Sequence, residues 1–323
     1  MNSRALFPVT LLAVVWFCSF RSIAQDQAVG QSAGREETHP SDLYSLKQKA
    51  LAGDAKAEYL LGWSYMTGAG ISQDYQEAAR WYRKAAAGGS ADAAFGLGYL
   101  YEQGKGVRRD YRQAVTYYTA AAQQGHSTAE NNLGSMYAHG QGVRKDPVEA
   151  VRWYRAAADR GEVTAQCNLA SLYFQGRGVA RDYAEAAMWF RAAAEQGHAP
   201  AQEDIAWMYY TGTGVTLDYS KAAEWVQKAA EQGCARAQID LGHLYEHGKG
   251  VPLDYVSAYA WYKLAVAGGD ERGRVRMKSL SRVMTQEQIS ETGVRVAQFS
   301  GSRSPRQGMG NSSEIGTSFA EWR

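Results

Sequence analysis

His243, Leu244, Tyr245, Glu246 and His247 spell H-x-x-E-H, the inverted zinc-peptidase signature. In that signature two imidazoles one helical turn apart hold the metal and a glutamate between them moves a proton. A catalytic zinc needs a third protein ligand, and no residue offers itself at a recognisable spacing. Serine chemistry is missing by pattern, since none of S-x-x-K, S-D-N and K-T-G, which together build a penicillin-recognising site, occurs in the chain. Gly104, Lys105 and Gly106 make no phosphate loop, because the spacing fails and no Ser or Thr follows the lysine. The expectation from these residues is no catalytic group, no cofactor and no metal.

The elements that must position any such group are written in a strict repeat. Leu61, Leu97, Leu133, Leu169, Ile205 and Leu241 stand 36 residues apart, as do Asp74, Asp110, Asp146, Asp182, Asp218 and Asp254. Self-similarity at a fixed period of this length marks a solenoid, in which each unit buries its apolar face by stacking on its neighbours. The register also accounts for the H-x-x-E-H run: Glu246 repeats Glu102, His247 repeats His139, and Tyr245 stands where every unit has tyrosine.

In the unit from Ala129, the residues Ala129, Leu133, Gly134, Met136 and Tyr137 recur at helical spacing and predict a first helix, A. Gly140 and Gly142 end it, supplying the positive φ that a helix C-terminus and a tight connection need. Asp146 followed by Glu149 reads as an N-cap with a capping-box partner, and Pro147 sits where a helix tolerates proline. Helix B then buries Ala150, Trp153, Tyr154, Ala157 and Ala158, and Gly161 closes it. The indole of Trp153 is expected to wedge between hairpins, so that its removal costs about 3 to 5 kcal/mol.

A unit of the form A…LG…Y…G-x-G-V…D-Y-x-x-A-x-x-W-Y-x-x-A-A…G resembles the Sel-1-like repeat, a relative of the tetratricopeptide repeat. The resemblance covers residues 41–298. It implies an all-α, right-handed α/α solenoid of six 36-residue hairpins with N- and C-terminal capping helices, used as an interaction scaffold. Departures are few: Ala170 and Ala206 replace the glycine after Leu or Ile, Val226 replaces an aromatic, and Pro147 replaces a tyrosine. Some secreted members of the family carry a β-lactamase label, which leaves a cell-wall enzyme as the alternative despite the missing serine motifs. The cysteine-rich branch that closes each hairpin with a disulfide is not matched, since Cys167 and Cys234 lie two units apart at different registers.

By resemblance to tetratricopeptide arrays, helix A lines the concave surface, and its variable registers are expected to face a protein or peptide partner. Units one and two offer Tyr59, Trp63, Phe95 and Tyr99. The third and fourth offer Asn131, Asn132, Ser135, Asn168 and Ser171, and the fifth and sixth offer Glu203, Asp204, Trp207, Asp240 and His243. The groove would be aromatic, then amide-rich, then acidic, suiting an extended peptide or an envelope glycan. Trp207 stands where the other units hold Trp63, Tyr99, Ser135, Ser171 and His243, so packing is not expected to demand an aromatic there. With Glu203, Asp204 and Asp240 it would form an acidic pocket for a Lys- or Arg-bearing segment.

Residues 1–24 read as a signal peptide: Arg4, an apolar run to Phe20, and small residues Ser22 and Ala24 before a cut that leaves Gln25 first. The protein is therefore expected to be exported, periplasmic or secreted, and monomeric, with no membrane span once the leader is removed. Residues 25–40 read as a flexible lead-in and 299–323 as a disordered tail. Arg272, Arg274, Arg276, Lys278 and Arg282 read as the solvated face of a capping helix. A net charge of +2, with no basic stripe within the repeats, argues against nucleic acid.

Overall fold

The computed structural model describes residues 40–301, which hold fifteen helices and, among the described residues, no strand. The predicted leader, the lead-in before residue 40 and the end of the tail lie outside the described residues. Helix α1 (Pro40–Leu51) precedes six hairpins. In chain order these are α2 (Ala55–Thr67) with α3 (Tyr75–Ala87), α4 (Ala91–Gln103) with α5 (Tyr111–Ala122), and α6 (Ser127–His139) with α7 (Pro147–Asp159). They continue as α8 (Val163–Gln175) with α9 (Tyr183–Glu195), α10 (Ala199–Thr211) with α11 (Tyr219–Glu231), and α12 (Ala235–His247) with α13 (Tyr255–Ala267). Two closing helices, α14 (Arg272–Leu280) and α15 (Gln286–Gly301), pack on α13.

Each boundary follows from local chemistry. The A helices end on glycines such as Gly68 and Gly140 in the left-handed region, their N–H groups bonded back to the last turn. Helix B starts on an aspartate: Oδ1 of Asp146 accepts from the N–H groups of Val148 and Glu149 at 3.0 and 3.1 Å. The capping box is only half formed, because Glu149 turns away to Arg152 at 2.8 Å, as Glu77 does to Arg80. A reciprocal box does open α15, where Thr285 N–H donates to Gln288 and Gln288 N–H donates to Thr285 Oγ1. The residue just before helix A is a cap as well. His126 and His198 accept through Nδ1 from Ala129 N–H and Ala201 N–H.

Two glycine registers are explained by what touches them. A Cβ on Gly98 would lie 2.5 Å from the ring of Tyr118, a clash that recurs at Gly62, Gly134 and Gly242 with Tyr82, Tyr154 and Tyr262. The two units with alanine there are the two whose helix B register holds Phe190 or Val226 in place of tyrosine. Gly142 serves the stack instead: it has φ +71°, and a Cβ would lie 2.3 Å from the carbonyl oxygen of Tyr111 in the previous hairpin. Gly178 makes the same approach to the Pro147 backbone, which is why a proline can stand in the tyrosine register without loosening the contact.

The core runs along the stack, with Leu61, Leu97, Leu133, Leu169, Ile205 and Leu241 all fully buried. A second, polar spine runs beside it. The amides of Gln166, Gln202 and Gln238 donate to the Ala158, Ala194 and Ala230 carbonyls of the preceding hairpins at 3.3, 3.1 and 3.1 Å. Trp153 departs from expectation: it is half-buried, with Arg152 4.6 Å over its ring, so its removal should cost less than a fully enclosed aromatic. The tryptophans of that register are best covered at the two ends. Trp81 packs with Leu43 and Leu46 of α1, and Trp261 stacks on Phe299 of α15 at 4.3 Å and 13°. Phe299 therefore belongs to the fold and not to the tail.

Candidate functional site on the helix A face

Residues spaced i, i+4, i+7 and i+11 along the A helices form one line, open at all four positions in the first and fifth units and closed in its middle in the second and sixth, where Gly96, Tyr99, Asp240 and His243 are buried. In the first unit these are Lys56, Leu60, Trp63 and Thr67; in the fourth Thr164, Asn168 and Gln175 stay partly open while Ser171 is buried. The line is widest open at its ends, where Thr67, Gln103, His139, Thr211 and His247 are exposed. The sequence reading included its middle two registers and missed the outer two. Extending the same helical spacing one turn further at each end finds them.

The structure gives many of the expected partner-facing residues an internal neighbour. Tyr59, Phe95, Tyr99, Asn131, Asn132, Ser171, Glu203, Asp240 and His243 are buried. Phe95 stacks on His126 at 4.5 Å. Tyr59 stacks on Tyr82 at 5.9 Å. Asn168 donates across the unit boundary to Asn131 at 3.0 Å. Cys167, in the same register as Phe95 and Asn131, meets His198 Nδ1 at 3.3 Å, and desolvation lowers that imidazole to about 4. Phe95 and Cys167, different residues in this register, both pack on the histidine that caps the next A helix. Trp63, Ser135, Asn168, Asp204 and Trp207 keep partial exposure.

The acidic pocket of the fifth unit has a different character from the one expected. Arg236, from the sixth unit, ion-pairs with Glu203, and its charge also reaches Asp204 and Asp240. Cys234 Sγ donates to Glu203 Oε1 at 2.5 Å, and burial followed by the Glu203 charge pushes its thiol up. Desolvation raises the Asp204 carboxyl to about 7, against the pull of Arg236. The chain itself supplies the cation that the sequence reading left to a partner. Trp207 is likewise engaged: it packs against the core on both sides and meets Phe174 edge-on at 5.7 Å. Packing does use the ring.

Charge is gathered elsewhere. Arg83 of the first unit and Arg108, Arg109 and Arg112 of the second line an open concavity of ≈ 890 Å³ that Gly142 of the third unit borders. Arg108, Arg109 and Arg112 lie within five positions of one another, and the fold brings Arg83 to them from 25 positions or more earlier. Arg83 donates to the Tyr101 hydroxyl at 3.2 Å, and Arg109 lies 5.7 Å from the Tyr111 ring centroid. At the far end, the donor atoms of His243, Glu246 and His247 lie within 4.8 Å of one another.

Comparison with known proteins places this architecture. The Sel1 repeat matches at residues 55–90, 91–126, 127–162, 163–198, 199–234 and 235–270, each match taking one hairpin and the cap residue after it. The chain is similar to the crystal structure of a protective antigen present in uropathogenic Escherichia coli strains, described as displaying an SLR fold. Identity is 35% and the TM-score 0.74, over 80% of this chain and 56% of that one. The chain therefore spans little more than half the length of that relative. A Sel1 repeat protein from Oxalobacter formigenes is 30% identical with a TM-score of 0.58, over 75% of this chain and 91% of that one. Among curated proteins none matches. No described helix is long and apolar enough to cross a membrane.

Proposed function

Because the chain belongs to the Sel1 repeat family, whose members are generally protein–protein interaction scaffolds, we propose that it is an exported scaffold that holds an extended polypeptide segment along the concave helix A face. The observation that carries this reading is the row of partly open positions on one face of the A helices, from Lys56 to Thr211, open in the first and fifth units and narrowed in the second. In its middle, Thr128, Ser135, Thr164 and Asn168 offer hydroxyls and an amide. Such groups can both donate to and accept from a peptide main chain, whatever its side chains. The tight internal pairing of Asn168 with Asn131 holds one of these amides in place before any partner arrives, which lowers the ordering cost of binding. Export rests on the leader pattern of residues 1–24.

The experiment is affinity capture from the native cell envelope with the full chain, followed by titration of the captured partner. Asn168→Arg, which sets a charge in the line, should weaken binding at least about tenfold, the loss of one hot-spot contact. Thr116→Arg, on the exposed face of α5, should leave binding unchanged. Equal affinities for the two variants would move the site off this face. Retention on purified peptidoglycan, with no protein captured, would replace the peptide by a glycan, and nitrocefin turnover by the purified chain would replace the scaffold by the enzyme alternative.

A further inference from the structure

We propose that His243, Glu246 and His247 form a binding site for one divalent transition-metal ion of the zinc class. The three residues, at i, i+3 and i+4, share one face of the last turns of α12, and their donor atoms lie within 4.8 Å of one another. Two imidazoles four residues apart on a helix, with a carboxylate on the same side, make the nitrogen and oxygen set that zinc, cobalt and nickel prefer. The ring centroids of His243 and His247 are 4.1 Å apart, close enough for both rings to turn to one ion.

The surroundings orient two of the ligands. His247 Nδ1 lies 3.0 Å from the His243 carbonyl oxygen; with the proton on Nδ1 this bond fixes the tautomer and leaves Nε2 as the ligand atom. Tyr262 donates its hydroxyl to Glu246 Oε2 at 2.5 Å, holding the carboxylate from behind. A cavity of ≈ 300 Å³ adjoins Glu246 and His247, walled by Tyr255 of α13, Leu280 of α14 and Val283 in the turn after it. His247 is exposed, so the ion would keep positions open to water. Arg276, whose charge reaches the Tyr262 hydroxyl, opposes a cation here and moderates the affinity.

Comparison between units separates this reading from the repeat itself. Glu102 accepts from Tyr118 at 2.6 Å just as Glu246 accepts from Tyr262, so the carboxylate alone is part of the repeat frame. The second unit flanks it with Tyr99 and Gln103, and the third unit has His139 but Ser135 and Ala138 beside it. The sixth unit alone brings both histidines to the glutamate. Here Glu246 acts as a ligand and completes a set of three, unlike the proton-moving glutamate of the peptidase signature.

The test is titration of the untagged full chain with Zn²⁺, and with Co²⁺ read by its visible absorption. One ion per chain should bind saturably. Removing one ligand in His247→Ala should weaken binding at least about tenfold, and Glu246→Gln, which keeps an acceptor for Tyr262, should weaken it too. His139→Ala, the same register in the third unit, should bind as the parent does. His247 is exposed and its replacement should leave the circular dichroism unchanged. No saturable binding, or equal binding by the His247→Ala protein, would overturn the site.

Discussion

Asp204 shows how one residue in this stack can be turned against its own repeat. Its carboxyl is raised to about 7 by desolvation, with Arg236 pulling it down and Glu203 pushing it up. A carboxyl whose folded pKa lies above its unfolded value binds its proton more tightly in the native state. Its contribution to stability is therefore fully present below about pH 4 and is lost as pH rises through 7. Asp204→Asn should remove that loss. Between pH 5 and pH 8 the thermal midpoint of the variant should fall less than that of the parent, as scanning calorimetry at several pH values would read. Parallel profiles would mean that Arg236 neutralises Asp204 outright. Trp207, expected from its register to be dispensable to packing, touches the core on both sides, so its removal should lower stability together with any effect on binding.

At the scale of the element, glycines of one backbone type do different work. Gly142 and Gly161 both have positive φ, +71° and +85°, so alanine at either meets the left-handed penalty of about 1–2 kcal/mol. Around Gly161 nothing lies within 4 Å of an added Cβ, whereas at Gly142 it would meet the Tyr111 carbonyl at 2.3 Å. That neighbour is backbone at the start of α5 and has no rotamer by which to move aside. Gly142→Ala should therefore cost about 1–3 kcal/mol more than Gly161→Ala, the usual range for overpacking. Denaturant melts of the two variants check it; equal losses would mean that the hairpins slide apart freely. The spacing of Gly140 and Gly142 was legible in the sequence as a helix stop. That Gly142 is also a stacking contact was not, because its neighbour Tyr111 belongs to another hairpin.

For the whole molecule, stability is a sum of unit and interface terms, so the ends matter as much as the middle. Trp261 is 2% exposed because α15 folds back and lays Phe299 on it, while Trp153 in mid-stack is only half-buried. Arg295 strengthens the same closure through Asp254 at 3.2 Å and Ser257 at 2.7 Å. Phe299→Ala should loosen the sixth unit first. In hydrogen exchange, protection of α13 should fall while that of α4 and α6 stays, since each unit contacts only its neighbours. Uniform loss along the chain would show a stack that opens as one body.

The 36-residue period determined the number of hairpins, their order, the aspartate caps of the B helices and the all-α class, because each of these is settled by residues within one unit of one another. Burial within a unit was legible for the same reason: Ala129, Leu133 and Met136 lie on one helical face whatever surrounds them. What the variable registers do was decided only by the stack. Asn131 meets Asn168, Phe95 meets His126 and Glu203 meets Arg236 across distances of 31 to 37 residues, and nothing in a helical period tells which side of a helix the next hairpin will cover. The tertiary structure likewise gathered Arg83 with Arg108 and Arg112, and set Tyr262 behind Glu246. A spacing argument reaches along one helix, and contact between helices depends on the rotation and rise of each unit on the last, which the repeat encodes in side-chain volumes and not in any pattern of residue types.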